Sequence, residues 1–181
     1  AERGRRGHLP NLHDRVLPMV IRPGRTLHAW SAACSHGAEA YSLAMLLEAM
    51  IGAARYRIGG TDIDRSALEQ ARAGGPYRAD EVKDVPEDLR TRFFFQEPTG
   101  YWVQPLLRSR ARFVEADLLQ PSAQGDYDLV VCRNVLIYFT EDAKRQVLTN
   151  LARALRPGGI LFVGATESIS NESALGLARS G

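Results

Sequence analysis

Strand-like apolar runs alternate with helix-like amphipathic runs along most of this chain. Such alternation is typical of a parallel β-sheet, because each strand then needs a crossover, usually a helix, to bring the chain back to the same edge. The 181 residues are enough for one domain with a sizeable core. The sequence therefore predicts a single α/β domain with a mostly parallel, doubly wound sheet.

The local pattern also predicts where the elements begin and end. Asp64 and Thr140 are expected to cap helices, because their side-chain oxygens can accept from free backbone amides. The Pro-Gly-Gly at 157–159 is expected to stop the last helix. The predicted strands are residues 26–31, 55–60, 111–116, 127–133 and 160–165, and the predicted helices include 38–50 and 66–73.

Residues 74–110 interrupt the alternation. This stretch is too long for a plain connection, so it is interpreted as an inserted subdomain. It carries three consecutive phenylalanines at 93–95 and the pair Tyr101 and Trp102. Most of these aromatic side chains are expected to form the core of the insert itself.

Composition limits the classes of function. The formal net charge of +2 gives no case for a nucleic-acid partner or a membrane surface. No apolar run approaches the ~20 residues needed to span a bilayer, so we expect no direct membrane insertion. Cys34 and Cys132 form no Cys/His cluster, so we expect no metal site, and free thiols in a reducing, cytoplasmic location. The basic residues Arg3, Arg5 and Arg6 are interpreted as a solvated tail, with an anionic docking patch as the alternative.

Acidic side chains follow the first three predicted strands. Glu39 lies in the first turn of the helix after the small-residue loop 32–37, where it could bind a ligand ammonium group. Asp62 ends the second strand and could accept from both hydroxyls of a ribose. Asp117 ends the third strand and could reach an adenine edge. Together these positions predict an adenosyl ligand across the carboxyl ends of the strands.

The loop also limits the type of cofactor. It reads AACSHG, which is neither a GxGxxG fingerprint nor a phosphate-binding loop with its lysine. A ligand without a pyrophosphate is therefore favoured, and S-adenosylmethionine is preferred to a dinucleotide.

Four ordered strings resemble one family. WSAACSHGAEAYSLAM is similar to the first motif of the chemotaxis-receptor glutamate methyltransferases, and TDIDRSALEQAR to their second-strand motif. CRNVLIYF and LRPGGILFVGATES resemble two further motifs, so the likeness spans roughly residues 30–168. The resemblance implies a Rossmann-like class I methyltransferase that uses S-adenosylmethionine, releases S-adenosylhomocysteine and methylates the cytoplasmic helices of chemoreceptors.

The resemblance also implies roles for single residues. Glu39 would hold the methionine amino group, Asp62 the ribose, and Tyr138 would lie beside the transferred methyl as the catalytic residue. The further cofactor-binding positions that it implies are Ala33, Ile63, Asp117, Leu118, Arg133 and Asn134. Two alternatives remain: a structural salt bridge for Arg133 and a half-buried aromatic at a strand end for Tyr138.

The chain also departs from the family pattern. His36, Ala38 and Ala40 stand where the family has Thr, Glu and Pro, and His36 is expected to face solvent. The start, GRRGHLPN, lacks the family's Phe-Phe-Arg element, and the family's N-terminal helical domain is expected to be absent. These departures motivate two alternatives: a non-catalytic cofactor-binding regulatory domain, or a methyltransferase with another acceptor.

Overall fold

The computed structural model describes residues 12–52, 55–122 and 125–164, together with Leu177. Its strands are β1 (Leu27–Ala32), β2 (Tyr56–Asp62), β3 (Phe94–Glu97), β4 (Gly100–Val103), β5 (Ala111–Glu115), β6 (Tyr127–Cys132) and β7 (Leu155–Val163). Five of them form a sheet in the order β5-β2-β1-β6-β7, and every neighbouring pair is parallel. Strand order reverses between β1 and β6, so the predicted doubly wound sheet is confirmed.

Helices connect and cover these strands. They are α1 (Leu17–Val20), α2 (Ala38–Ile51), α3 (Arg65–Ala73), α4 (Ala79–Val82), α5 (Glu87–Phe93), α6 (Pro105–Arg108) and α7 (Glu141–Ala154). A π-helical turn, Leu12–Val16, precedes α1, and a 3-10 turn, Leu136–Tyr138, follows β6.

Both predicted helix caps are confirmed. The Asp64 side chain accepts hydrogen bonds from the backbone N–H groups of Ser66 and Ala67 at 2.9 and 3.1 Å. The Thr140 hydroxyl accepts from the N–H of Ala143 at 3.4 Å. Each cap satisfies a backbone donor that has no partner within its own helix.

The predicted stop of the last helix at 157–159 is wrong. Helix α7 ends at Ala154, and Leu155 is already extended, with φ −75° and ψ 141°. The reason is strand pairing, because Leu155 lies opposite Tyr127 while Ile160 lies opposite Leu129. The intervening residues, including the Pro-Gly-Gly, form an irregularity in β7 and do not terminate the helix.

Each face of the sheet has its own core. On one face, Ile58 belongs to a buried cluster with Leu47 of α2 and Leu68 of α3. On the other, Val130 belongs to a cluster with Leu151 of α7. All six residues of β6 are buried, which is the pattern that a strand covered on both faces requires.

The segment between α3 and β5 holds three short helices and the antiparallel pair β3–β4. Phe93 and Phe94 are buried, and they belong to the same cluster as Ile58 of the central sheet. The expectation that these aromatics form a separate core is therefore wrong for these two residues. Tyr101 and Trp102 are half-buried.

Some predictions lie outside the described residues. They concern the arginines at positions 3, 5 and 6, the GRRGHLPN string and the end of the fourth motif at 165–168. Within the described ranges, no helix is both long enough and apolar enough to cross a membrane. The same ranges contain no group of three or more side chains arranged to hold a metal ion.

Candidate functional site

The loop between β1 and α2 turns sharply at the carboxyl edge of the sheet. Ala33, Ser35 and Gly37 have positive φ values of 58°, 49° and 88°. A Cβ placed on Gly37 would lie 2.9 Å from the Cβ of Ala71 and 3.3 Å from its Cα. Glycine is therefore required at position 37, both for its backbone conformation and for the close approach of α3.

Asp62 holds this loop in place. Its Oδ2 accepts a hydrogen bond from the backbone N–H of Ser35 at 2.7 Å, and its Oδ1 accepts from the N–H of Asp64 at 3.0 Å. A carboxylate offers about four acceptor positions, so two remain after these contacts. Asp62 can thus hold the loop and still accept from the two hydroxyls of a ribose.

Glu39 lies in the first turn of α2, between groups from two neighbouring strands. The hydroxyl of Ser31, in β1, donates to Glu39 Oε1 at 2.7 Å, and Nη1 of Arg133, after β6, is 4.0 Å from Oε2. The Arg133 contact agrees with the salt-bridge alternative and also keeps its guanidinium beside Glu39. Ser31 is fully buried and was missed by the sequence reasoning, although a hydroxyl near the end of an apolar strand is a usable signal.

The residues after β5 are held by local bonds. Oδ1 of Asp117, an exposed residue, accepts from the backbone N–H of Leu119 at 2.9 Å. Leu118 is buried, and its carbonyl accepts from the side-chain amide of Asn150 at 2.9 Å. Asn150, itself buried in α7, therefore fixes the segment on which the predicted adenine contacts lie. Sequence reasoning missed it, and its signal is an amide on the apolar face of a helix.

Large side chains are exposed at the same edge. Ile63 is 70% exposed, Ile137 57% and Tyr138 81%, so Tyr138 is not the half-buried aromatic of the alternative interpretation. Asn134 is exposed with a positive φ of 59°, a conformation that asparagine tolerates better than most residues.

The nine predicted site residues follow four different strands of one parallel sheet. Carboxyl ends of parallel strands meet at one edge, and ligands of such folds bind at the point where strand order reverses. The predicted residues are Ala33 and Glu39 after β1, Asp62 and Ile63 at the end of β2, Asp117 and Leu118 after β5, and Arg133, Asn134 and Tyr138 after β6. The topology therefore brings all nine to the same edge.

The expectation that His36 faces solvent is wrong. Its Nε2 lies 2.9 Å from Oε1 of Glu81 in α4, and both side chains are less than one-third exposed. The hydroxyl of Tyr77 donates to the backbone carbonyl of His36 at 2.7 Å. These contacts join the loop to the segment between α3 and β5, so the loop is held from that side as well as by Asp62.

Both cysteines are buried free thiols. Burial, reinforced by the charges of Asp62 and Glu39, raises the pKa of the Cys34 thiol to about 12. Cys34 and Cys132 belong to the clusters on opposite faces of the sheet. Since the thiolate is the reactive form, Cys34 is unsuited to act as a nucleophile near neutral pH.

The strand order described above is that of a Rossmann-like, doubly wound fold, and solved class I methyltransferases that use S-adenosylmethionine share it. The structure titled StiE O-MT residues 961-1257 matches 86% of this chain and 42% of its own, with a TM-score of 0.53 at 19% identity. The glycopeptide N-methyltransferase MtfA complexed with sinefungin matches 77% of this chain and 44% of its own, with a TM-score of 0.50 at 15% identity. At these identities the likeness concerns the fold alone.

Sequence similarity shows the family to which this chain belongs. Residues 5–178 match the family described as CheR methyltransferase, SAM binding domain, and the chain belongs to that family. A chemotaxis protein methyltransferase of Listeria monocytogenes is 40% identical over 168 residues, which cover 92% of this chain and 64% of the relative. The chemotaxis protein methyltransferase 1 of Pseudomonas aeruginosa is 39% identical over 170 residues, covering 88% and 62%. The chain thus spans less than two-thirds of the length of these relatives.

Proposed function

We propose that this chain binds S-adenosylmethionine at the carboxyl edge of its sheet and transfers the methyl group to glutamate side chains of chemoreceptors. The observation that carries the proposal is the placement of two carboxylates, Glu39 and Asp62, on either side of one loop. Each is already oriented by a hydrogen bond, from Ser31 and Ser35 respectively. The family membership supports the same reading.

The residues present fit this cofactor. Asp62 retains acceptor positions for ribose hydroxyls, and Glu39 offers a carboxylate to the amino group of the methionine part. Ile63, which is 70% exposed, offers apolar surface, and Asp117 and Leu118 would flank the adenine. Ala33 and Asn134 follow two neighbouring strands at the same edge. When bound, the cofactor supplies a methyl group on a positively charged sulfur, which makes that carbon electrophilic.

The proposed reaction requires little acid–base catalysis from the protein. A glutamate carboxyl has a reference pKa of about 4.3, so at neutral pH it is already an anionic nucleophile and needs no general base. The chain has to align the acceptor with the methyl carbon and exclude water, contributions that reach about 7–11 kcal/mol in well-oriented systems. Tyr138, exposed at the rim, is assigned to position the acceptor and not to move a proton.

The proposed partner is a cytoplasmic helix of a chemoreceptor, and the proposed location is cytoplasmic. The relatives' printed names support a chemotaxis role. The two free cysteines fit a reducing compartment.

The test is methyl transfer from S-adenosylmethionine labelled on its methyl group. The acceptor is a receptor signalling fragment with glutamates at its methylation positions, and the control fragment carries glutamine there. We expect label on the glutamate fragment alone, released as methanol by mild base because it is held as an ester. Binding of the cofactor without transfer to this or any receptor fragment would favour the alternative of a regulatory binding domain.

A further inference from the structure

A concave site lies at the edge of the sheet opposite the candidate cofactor site. It is a cavity of about 250 Å³ at the amino ends of β1, β2, β5 and β6. The residues that line it include His28, Arg57, Gly59, Arg110, Arg112 and Tyr127. The proposed methyl transfer uses none of them.

Strand register explains why its basic side chains converge. His28 pairs with Arg57, and Gly59 pairs with Arg112, across adjacent parallel strands. Paired residues of parallel strands point to the same face, as do residues two apart along one strand. By this rule His28, Arg57, Gly59 and Arg112 lie on one face of the sheet. The side chains of His28, Arg57 and Arg112 are exposed, and Gly59 has no side chain to fill the space beside them. A Cβ on Gly59 would lie 3.3 Å from the hydroxyl of Tyr127.

Basic side chains predominate in the lining of this cavity, as far as the structure describes the chain. Its lining includes three arginines and no acidic side chain. Over residues 12–52, 55–122 and 125–164, none of the three arginines forms an ion pair. Arg57 is partly oriented, because its Nη1 donates to the backbone carbonyl of Tyr56 at 2.8 Å.

The second observation on this cavity concerns a buried nitrogen of the Arg110 side chain. Its Nε is buried and has no hydrogen-bond partner among the described residues. A buried donor without a partner is costly, and such groups in native proteins call for an explanation such as a bound ion. Arg110 belongs to the lining of the cavity, so an anion bound there, with a small turn of the side chain, would give this nitrogen an acceptor.

We propose that this cavity binds a small phosphate-bearing molecule. Guanidinium groups present fixed forks of donors that match phosphate oxygens in pairs. The volume of about 250 Å³ is below the roughly 300–1,000 Å³ of sites for larger ligands, which favours a phosphate or a small monoester over a dinucleotide.

The test is calorimetric titration of the whole chain with inorganic phosphate and with glycerol 3-phosphate, at ionic strength held constant with sodium chloride. We expect saturable one-to-one binding, weakened about tenfold or more in Arg110→Gln and in Arg112→Gln, because each removes charge-assisted hydrogen bonds. The matched control is Arg65→Gln, whose exposed side chain pairs with Glu115 at the other edge. It removes the same charge and should leave phosphate affinity unchanged.

Three results would overturn the proposal. They are the absence of saturable phosphate binding, equal weakening in Arg65→Gln, and binding to anionic phospholipid vesicles without binding of either soluble phosphate. Because Arg112 is exposed, the Arg112→Gln variant should fold. It therefore still tests phosphate binding if the Arg110→Gln variant does not fold. Affinity for S-adenosylhomocysteine, measured in the same variants, should stay unchanged, which separates this site from the proposed methyl transfer.

Discussion

The carboxylate of Asp62 accepts the backbone N–H of Ser35 at 2.7 Å, which joins the end of β2 to the loop after β1. Ser35 has a φ of 49°, a conformation that costs a non-glycine residue about 1–2 kcal/mol. The hydrogen bond to Asp62 offsets part of that cost. Asp62 therefore shapes the loop before any ligand arrives, in addition to its proposed role in binding the ribose.

The first prediction follows from these two roles. Asp62→Ala should raise the dissociation constant for S-adenosylhomocysteine by about 10-fold to 150-fold, since hydrogen bonds to a charged group contribute about 1.5–3 kcal/mol. Asp62→Asn should lie between the wild type and Asp62→Ala, because its amide keeps one acceptor oxygen. Calorimetric titration measures all three.

A control separates binding from stability. Asp64→Ala removes a helix cap and should lower the free energy of unfolding by about 1 kcal/mol, with little effect on the dissociation constant. An unchanged dissociation constant in Asp62→Ala would show that Asp62 does not hold the ribose.

The second prediction concerns Ser31, the buried hydroxyl that orients Glu39. Ser31→Ala should weaken S-adenosylhomocysteine binding about 2-fold to 12-fold, because a neutral hydrogen bond is worth about 0.5–1.5 kcal/mol. Ser42→Ala is the control, since that hydroxyl donates to the carbonyl of Ala38 within α2. Equal binding by wild type and Ser31→Ala would mean that Glu39 needs no such support, or does not bind the cofactor.

The third prediction separates binding from turnover. Tyr138→Phe should lower kcat much more than it weakens S-adenosylhomocysteine binding, because the hydroxyl is assigned to position the acceptor. Tyr138 is 81% exposed, so the melting temperature should not change. Parallel losses in affinity and kcat would instead make Tyr138 a cofactor-binding residue.

The fourth prediction uses the raised pKa of Cys34, about 12. At pH 8 the folded protein should hold on the order of one thiolate in ten thousand at this position, so a thiol reagent should react slowly until the chain is unfolded. The variant Cys132→Ser isolates the Cys34 signal. Fast labelling of the folded variant at pH 8 would contradict the described burial.

The same shift predicts a pH dependence of stability. In the unfolded chain Cys34 loses its proton near its ordinary pKa, whereas the folded chain retains it up to about 12. The unfolded state therefore binds fewer protons between these values, so the free energy of unfolding should fall as pH rises from about 9 to about 12. Cys34→Ala should show a shallower decline in urea titrations across this window.

Local pattern predicted much of the fold, because strand ends and helix caps depend on neighbouring residues. The capping roles of Asp64 and Thr140 are of this kind, and so is the position of Asp62 at the end of β2. The pattern did not predict that α7 ends before Pro157. The end of this helix is set by the pairing of Leu155 with β6, which is a contact between distant parts of the chain.

The contacts that arrange the site were harder to foresee. Ser35 and Asp62 are 27 positions apart, and His36 and Glu81 are 45 apart. Whether such residues meet depends on the path of a loop and on how one segment lies against another. Composition and periodicity carry little information about either, so His36 was wrongly expected to face solvent.

The most direct test of the proposed cofactor site is a crystal structure of this chain with S-adenosylhomocysteine. Both ribose hydroxyls should lie within about 2.6–3.2 Å of the Asp62 carboxylate oxygens. The amino group of the ligand should lie at the same distance from the Glu39 carboxylate, and the sulfur should be directed towards Tyr138. Electron density for the ligand at another edge of the sheet, or a ribose that makes no contact with Asp62, would contradict it.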